Sequence, residues 1–229
     1  MDIHGLQKLT LLDFPGKVAC TVFLGGCDFR CPYCHNGELV TGVYPPQMDD
    51  GELLAFLKKR QGLLDGVCIT GGEPLLRPGL APLLAAIREL GYRVKLDTNG
   101  THPARLRELV EAGLVDYVAM DVKNSPDRYG ATVGVEGLDI APIRESVGYL
   151  LSGTVDYEFR TTVVKEFHDE GSFRAIGPWL AGAKAYFLQG FVDRDTVLRP
   201  GLTACTEEEM GAFLSMVRPH IPAAQLRGV

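Results

Sequence analysis

The sequence offers little that would support a membrane, secretory or nucleic-acid-binding role. No apolar run approaches the ~18 residues that a membrane-spanning helix needs. Residues 1–4 do not begin a charged and then apolar signal segment. Lys and Arg total 23 against 29 Asp and Glu, and the resulting net charge of −6 gives no overall attraction to phosphate backbones. We therefore expect a cytoplasmic protein that binds neither membranes nor nucleic acid.

Cysteine is scarce, which excludes a disulfide scaffold. Only six cysteines occur in 229 residues, too few to staple a chain of this length. Three of the six are crowded into eight residues, at Cys27, Cys31 and Cys34. Close cysteines in a reducing compartment indicate a metal centre, and we expect the other three cysteines to be packing thiols.

The chain also lacks low-complexity stretches, Ser/Gly-rich linkers and strong internal repeats. With 46% hydrophobic and 23% charged residues, its composition is that of an ordinary globular protein. At about 150 residues per domain, its length allows one large domain or two small ones. Because no linker interrupts the chain, we predict a single domain over residues 1–229.

Short apolar runs alternate with segments of helical spacing along the whole chain. Nearly continuous apolar runs predict strands that are buried on both faces of a parallel sheet, with helices as crossovers. The predicted fold class is therefore α/β, and an open sheet and a barrel both fit the pattern. The predicted strands cover residues 18–25, 66–70, 93–98, 117–122, 157–164 and 185–189. The predicted helices cover residues 51–60, 80–90, 104–112, 143–151, 173–180 and 207–217.

Polar residues cluster where the predicted strands end. Ligands of parallel α/β proteins gather at the carboxyl ends of the strands, so these side chains are candidates for one site. We expect the loop of residues 123–140 to cover that site, and Lys165 and His168 to be solvated. The candidates, in strand order, are the cysteines, Gly71-Gly72-Glu73-Pro74, Asp97-Thr98-Asn99-Gly100, and Asp121 with Lys123.

The spacing C-x3-C-x2-C lets three thiolates converge on one small inorganic centre. A [4Fe-4S] cluster has four irons that each take one outer ligand, so three cysteines leave one iron open to a substrate or cosubstrate. A structural zinc ion closed by His35 or Cys205 is the alternative. His35 follows Cys34 directly and is poorly placed to reach the same metal, so the sequence favours a cluster.

The pattern C-x3-C-x-Φ-C, with the aromatic Tyr33 before the last cysteine, resembles the cluster motif of the radical S-adenosylmethionine (radical SAM) family. Residues 71–74, Gly-Gly-Glu-Pro, resemble the G-G-E-P motif of the same family. The resemblance implies a [4Fe-4S] cluster and S-adenosylmethionine as cofactors. It also implies a partial parallel (β/α)6 barrel, which agrees with the six strand–helix units.

Within that family, residues 5–9, 13–17 and 26–36 resemble activating proteins of anaerobic, glycyl-radical ribonucleotide reductases. Residues 97–100 and 121–123 are similar to the D-T-N-G and D-x-K elements of glycyl radical enzyme activases. The resemblance implies an anaerobic oxidoreductase that takes an electron from a flavodoxin- or ferredoxin-type donor and cleaves S-adenosylmethionine reductively. The 5′-deoxyadenosyl radical would then generate a glycyl radical on the reductase.

The resemblance also implies a role for individual residues. The three cysteines would hold the cluster and Tyr33 would lie against adenine, although an aromatic residue at this place in a loop also suits packing on the core. Gly71, Gly72 and Glu73 would meet the methionine amino group, although glycines here also suit a strand-to-helix turn. Asn36 follows the last cysteine in a C-H-N pattern and would lie beside the cluster.

Whether the remaining candidates reach the site depends on the direction in which side chains point at the strand ends. Asp97 and Thr98 would lie near the ribose and a monovalent cation, although both residue types also cap helices. Asp121 and Lys123 would meet the cosubstrate carboxylate and the cation, or form a structural ion pair. Arg160 and Gln189 would contact the cosubstrate only if their strand parity points them at the mouth.

Two other functions fit the same motifs less closely. A radical SAM enzyme acting on a nucleoside, nucleobase or short peptide would keep the chemistry and change the substrate. A zinc-stabilised binding module without catalysis would use the cysteines only for structure.

Overall fold

The computed structural model describes all 229 residues, in ten strands and eight α-helices. The strands are β1 Asp2–Ile3, β2 Gly5–Thr10, β3 Ala19–Leu24, β4 Met48–Asp49, β5 Gly66–Gly71, β6 Arg93–Thr98, β7 Tyr117–Asp121, β8 Asp156–Val163, β9 Tyr186–Gly190 and β10 Ala224–Arg227. The helices are α1 Gly37–Thr41, α2 Asp50–Lys58, α3 Leu80–Glu89, α4 Pro103–Glu111, α5 Tyr129–Val133, α6 Ala141–Leu151, α7 Glu170–Trp179 and α8 Glu207–Val217.

One eight-stranded sheet organises the molecule, in the order β10-β9-β8-β7-β6-β5-β3-β2. All neighbouring strands in it are parallel except β2 and β3, which are antiparallel. The end strands β2 and β10 do not pair with each other, so the sheet is an open, partial barrel. The predicted α/β fold is confirmed, and its six strands are β3 and β5 to β9. No helix is long and apolar enough to cross a membrane.

The parallel strands form where the sequence is apolar on both faces. Val22, Leu24, Val67 and Ile69 in β3 and β5 are fully buried, in a hydrophobic core that also takes in the inner faces of the helices. Burial on both faces explains why these strands read as continuous apolar runs instead of alternating ones. Three helices, α2, α7 and α8, begin with capping boxes that fix where each helix starts.

Two edge strands and two short helices were not predicted. β2 leaves Gln7, Lys8 and Leu9 exposed, and it therefore lacks the apolar run that marked the central strands. β10 has four residues and α1 and α5 have five each, lengths at which periodicity carries little signal. These elements are held by tertiary pairing that a local pattern does not reveal.

Two segments lie against the cysteine loop. The predicted covering loop, residues 123–140, contains α5, and Val133 O accepts a 2.9 Å hydrogen bond from Arg30 N. A second segment, residues 191–205, was not predicted to take part. Its Leu198 N donates to Cys34 O at 3.3 Å and its Arg199 N donates to Pro32 O at 2.8 Å. Backbone bonds from both segments therefore fix the path of the cysteine loop.

Candidate active site at the carboxyl ends of the strands

A cavity of about 410 Å³ opens at the carboxyl ends of the parallel strands. Every residue to which the family resemblance assigns a role lines it, except Glu73, and of the other strand-end candidates Asn99 lines it whereas Pro74 and Gly100 do not. The predicted lining residues are Cys27, Cys31, Tyr33, Cys34, Asn36, Gly71, Gly72, Asp97, Thr98, Asp121, Lys123, Arg160 and Gln189. The other residues that line the cavity are Asp13, Phe29, His35, Val40, Thr70, Asn99 and Thr162.

The three cysteines of the loop lie at the cavity as free thiols. Burial raises the pKa of Cys27 to about 12 and that of Cys31 to about 11, and it raises the pKa of Cys34 as well. The positive charge of Lys123 opposes this rise at all three thiols. Thiols in such surroundings ionise on binding a metal, whose charge stabilises the thiolate.

The glycine loop after β5 lies directly against the cysteine loop. Gly71 has a φ of 122°, a conformation that favours glycine. A Cβ on Gly72 would overlap the carbonyl oxygen of Gly26, one residue before the first cysteine. Asn36 Nδ2 donates to Gly71 O at 2.9 Å and joins the two loops from the other side. The glycines are therefore needed for the close approach of two backbones.

Glu73 is fully buried but does not line the cavity. Its carboxylate accepts hydrogen bonds from Thr98 Oγ1 at 2.9 Å, Asn99 N at 2.7 Å and Leu75 N at 3.0 Å. Burial outweighs these bonds and raises its pKa to about 8. The expected contact of Glu73 with a cosubstrate amine stays a prediction, since in the structure this side chain joins the glycine loop to the end of β6.

Charged side chains on β6, β7 and β8 form a network on the cavity wall. Arg160 Nη1 lies 3.3 Å from Asp97 Oδ2, and its Nε lies 2.9 Å from Asp121 Oδ1. Lys123 Nζ lies 2.9 Å from Asp121 Oδ2. Burial opposes ionisation of Asp121, but the charges of Arg160 and Lys123 outweigh it and lower its pKa to about 2. Both aspartates and both cations are therefore charged at neutral pH.

Lys95 completes this network and was not singled out in the sequence. Its side chain is 1% exposed, and its Nζ forms an ion pair with Asp97 Oδ1. Lys95 lies two residues before Asp97 in β6, so strand alternation within the predicted strand already places the two side chains on one face.

Comparison with known proteins identifies the family to which the chain belongs. The model of the radical SAM superfamily matches residues 21–172, which include the cysteine loop, the glycine loop and the ends of β6 and β7. The chain belongs to the radical SAM superfamily. It is 33% identical over 200 residues to a Methanocaldococcus jannaschii protein named as a glycyl-radical enzyme activating enzyme, covering 84% of this chain and 81% of that protein.

Two further relatives match less of the chain. The pyruvate formate-lyase-activating enzyme of Clostridium pasteurianum is 32% identical over 130 residues, 55% of this chain and 53% of the enzyme. A 7-carboxy-7-deazaguanine synthase of Koribacter versatilis is 31% identical over 166 residues, 71% of this chain and 69% of the enzyme. The Methanocaldococcus jannaschii protein aligns with most of both chains, whereas the pyruvate formate-lyase-activating enzyme aligns with about half of each.

Solved structures show the same fold. A domain of a Bacteroides vulgatus pyruvate-formate lyase-activating enzyme superposes with a TM-score of 0.59 at 18% identity, over 71% of this chain and 99% of that chain. Streptococcus suis SuiB superposes with a TM-score of 0.71 at 13% identity, over 91% of this chain and 48% of that chain. At these identities the likeness establishes the radical SAM fold alone.

Radical SAM proteins use a [4Fe-4S] cluster with S-adenosylmethionine, and the donors at this site fit a cluster. Three thiols at one cavity are the soft ligands that iron–sulfur centres take. No group of three or more His, Cys, Asp or Glu side chains is arranged to hold a single metal ion. Of the two candidate fourth zinc ligands, His35 contacts Val192 O through Nε2 at 2.7 Å, and Cys205 does not line the cavity.

One buried polar atom at the site, the hydroxyl oxygen of Tyr33, has no hydrogen-bond partner. Tyr33 is 3% exposed. The ring packs beside Phe167, with 5.7 Å between centroids. The side chain thus packs on the core and also lines the cavity. Its hydroxyl remains able to form a hydrogen bond.

The monovalent cation implied by the family resemblance stays a prediction, and the two aspartates expected near it are paired with cationic side chains. Asp97 Oδ1 pairs with Lys95 and its Oδ2 with Arg160, while Asp121 Oδ1 pairs with Arg160 and its Oδ2 with Lys123. Each carboxylate oxygen therefore already has a cationic partner from the protein.

His168 differs from its expected surroundings. It was expected to be solvated, but it is 4% exposed, and its Nε2 lies 2.8 Å from Lys123 O. Burial lowers its pKa, so the ring is neutral at pH 7 and holds the backbone of Lys123. Lys165 is exposed as expected and pairs with Glu209 at 2.6 Å.

Proposed function

We propose that this radical SAM protein is an activating enzyme that generates a glycyl radical on a partner protein, with an anaerobic ribonucleotide reductase as the first candidate partner. The observation that carries the proposal is the extent of the similarity to the Methanocaldococcus jannaschii protein, whose name gives this activity and which aligns with 84% of the chain. The pyruvate formate-lyase-activating enzyme supports the same class over a shorter segment.

When bound together, the cluster and S-adenosylmethionine supply one-electron cleavage of the cosubstrate and a 5′-deoxyadenosyl radical. In this proposal Cys27, Cys31 and Cys34 hold the cluster, and the buried hydroxyl of Tyr33 meets the adenosine. The protein contributes no acid, base or nucleophile. Its part is to hold the reacting carbon near its target and to exclude water.

The charged wall suits the methionine end of the cosubstrate, which carries both an ammonium and a carboxylate. Arg160 and Lys123 offer donors to a carboxylate, and Asp97 and Asp121 offer acceptors to an ammonium or to ribose hydroxyls. Because these groups also pair with one another, they are held in place before the ligand arrives. Thr98 and Gln189 add neutral polar contacts on the same wall.

The glycine and asparagine residues support this arrangement through the backbone. Gly71 and Gly72 bring the two loops into contact, and Asn36 fixes that contact by its bond to Gly71 O. We place all of this in one radical SAM core domain over residues 1–229. We propose a cytoplasmic location and an electron supply from a flavodoxin- or ferredoxin-type protein.

The test is whether cosubstrate cleavage is coupled to radical formation on a protein. The chain is reconstituted with iron and sulfide without oxygen, reduced with dithionite and given S-adenosylmethionine with a purified anaerobic ribonucleotide reductase. We expect a glycyl radical spectrum on the reductase and release of 5′-deoxyadenosine in proportion to it. The matched control is the reductase with its radical glycine replaced by alanine. Cosubstrate cleavage at the same rate with either reductase, and no spin on either, would contradict the proposal.

A second candidate function comes from the 7-carboxy-7-deazaguanine synthases, since one of them aligns with 71% of the chain. It would keep the radical chemistry and direct it at a nucleobase-like small molecule. Formation of 7-carboxy-7-deazaguanine by the reconstituted protein, with no glycyl radical on any tested reductase, would favour it.

A further inference from the structure

Asn99 joins the three loops that build the site, and neither the sequence motif nor the proposed chemistry gives it a role. It follows β6, is 6% exposed and lines the cavity. Its backbone N donates to Glu73 Oε2 at 2.7 Å, which ties it to the glycine loop. Its side chain reaches the cysteine loop, where Nδ2 lies 2.6 Å from Asp28 Oδ1 and 3.8 Å from Cys27 Sγ.

The orientation of the Asn99 amide follows from its partners. Its Oδ1 accepts from Thr101 N at 3.0 Å, which fixes the oxygen on that side, and it lies 2.7 Å from Thr101 Oγ1. The opposite orientation would place two oxygens, Asn99 Oδ1 and Asp28 Oδ1, against each other. The two amide protons therefore face the cysteine loop, one toward the Asp28 carboxylate and one toward the Cys27 sulfur.

Asp28 is held firmly enough to keep this amide in place. Its Oδ2 accepts from Thr101 Oγ1 at 2.5 Å and lies 3.2 Å from His102 Nε2. One residue further along the loop, Phe29 N donates to Cys27 Sγ at 3.4 Å. The sulfur of Cys27 thus has two N–H donors aimed at it, one from its own loop and one from the loop after β6.

We propose that Asn99 is a positioning residue that fixes the Cys27 sulfur and raises the reduction potential of the cluster bound there. Hydrogen bonds to the ligating sulfurs are one of the terms that set the potential of an iron–sulfur cluster. An N–H donor stabilises the reduced cluster more than the oxidised one, because the reduced form carries one more negative charge. Loss of this donor makes the cluster harder to reduce.

The inference rests on radical SAM chemistry and not on the identity of the substrate. Its readout is a property of the cluster, so it can fail while the protein still activates a glycyl radical enzyme. It can equally hold if the protein acts on a small molecule.

The test uses two variants, because a change at a buried position can disturb the loop. Asn99→Ala removes the donor without adding charge, whereas Asn99→Asp keeps the acceptor for Thr101 and removes the N–H groups. Thr101→Val is the matched control, since it removes the hydroxyl that contacts Asp28 and Asn99 Oδ1, whereas Thr101 N still donates to Asn99 Oδ1 and keeps the amide facing Cys27. Each reconstituted protein is analysed for iron and sulfide, and its midpoint potential is measured by titration followed by electron paramagnetic resonance.

We expect wild-type iron content and a more negative midpoint potential in Asn99→Ala, with slower cleavage of S-adenosylmethionine, and a shift in the same direction in Asn99→Asp, where the added charge contributes as well. The Thr101→Val protein is expected to keep the wild-type potential. An unchanged potential in the Asn99 variants, loss of iron from both of them, or an equal shift in Thr101→Val overturns the proposal in favour of a purely structural contact.

Discussion

Arg160 Nε lies 2.9 Å from Asp121 Oδ1, so that a guanidinium from β8 spans the carboxylate that ends β7. The same guanidinium reaches Asp97 at the end of β6 through Nη1 at 3.3 Å. Three neighbouring strands are thereby tied together by one cation, 14% of whose side chain is exposed. Removing that cation would leave each of the two carboxylates with one partner fewer. Removing one member of such an ion pair destabilises a protein more than replacing all of its members with apolar residues.

Because Asp97 keeps Lys95 and Asp121 keeps Lys123, Arg160→Met is expected to lower the free energy of unfolding by about 1.5–3 kcal/mol. Urea denaturation of the protein without cofactors measures this. The control is Arg174→Met, which removes an exposed ion pair with Glu170 and should change stability little. Similar effects of the two changes would show that the Arg160 network is no more important for stability than a surface pair.

The Lys95 ammonium pairs with Asp97, one of the two carboxylates expected to lie near a monovalent cation. We expect the melting temperature of the wild-type protein to be the same in potassium chloride and in tetramethylammonium chloride at equal concentration. Lys95→Met frees one oxygen of Asp97, so potassium should raise the melting temperature of that variant selectively. Lys8→Met, at an exposed position on β2, is the control. A potassium effect on the wild-type protein would contradict the assignment.

The fold could be predicted where local pattern and burial agree. Strands such as β3 and β5 read as apolar runs in the sequence because residues on both of their faces are buried. β2 and β10 form the edges, where one side of each strand lacks a neighbour and polar residues are tolerated. Segment 191–205 contacts the cysteine loop through backbone hydrogen bonds, which do not depend on residue type. This contact therefore could not be predicted from the sequence.

The site was predictable to the extent that its residues follow strand ends. Asp97 and Asp121 were found in that way, because the carboxyl ends of parallel strands share one edge. Asn99 was a candidate without an assigned role, and Lys95 was missed although it lies two residues before Asp97 in a predicted strand. Glu73 was identified as a candidate from its motif. The motif is equally compatible with a ligand contact, so it did not reveal that this side chain is buried outside the cavity lining.

Glu73 should make stability fall as pH rises. Its pKa is raised by burial from 4.5 to about 8, so the folded state holds its proton more tightly than the unfolded state does. The resulting stabilisation is complete below pH 4.5 and is lost as the pH rises through about 8. Over that pH range, the unfolding free energy of wild type should fall relative to that of Glu73→Gln. A constant difference across urea denaturations from pH 4.5 to 8 would show that the folded-state pKa is not raised.

Cys31→Ala should abolish cluster assembly and leave the fold intact. Cys31 lies on the loop between β3 and α1, outside the regular elements that hold the sheet together. Iron and sulfide analysis after reconstitution, together with circular dichroism, separates the two effects. Cys205→Ala, away from the cavity, should bind a full complement of iron. Full iron content and wild-type cosubstrate cleavage in Cys31→Ala would refute its assignment as a ligand.

Gly72→Ala tests whether close backbone approach is what the glycine loop requires. The added methyl group would overlap Gly26 O, and because that atom is backbone the two loops must separate. We expect weaker binding of S-adenosylmethionine and a lower iron content, since the shift moves the residue next to Cys27. Gly148→Ala makes the same chemical change within α6, where an added Cβ meets nothing within 4 Å. That variant should be slightly more stable, because alanine is favoured over glycine in a helix. Equal iron content and equal cosubstrate affinity in both variants would mean that the loops can part without affecting the site.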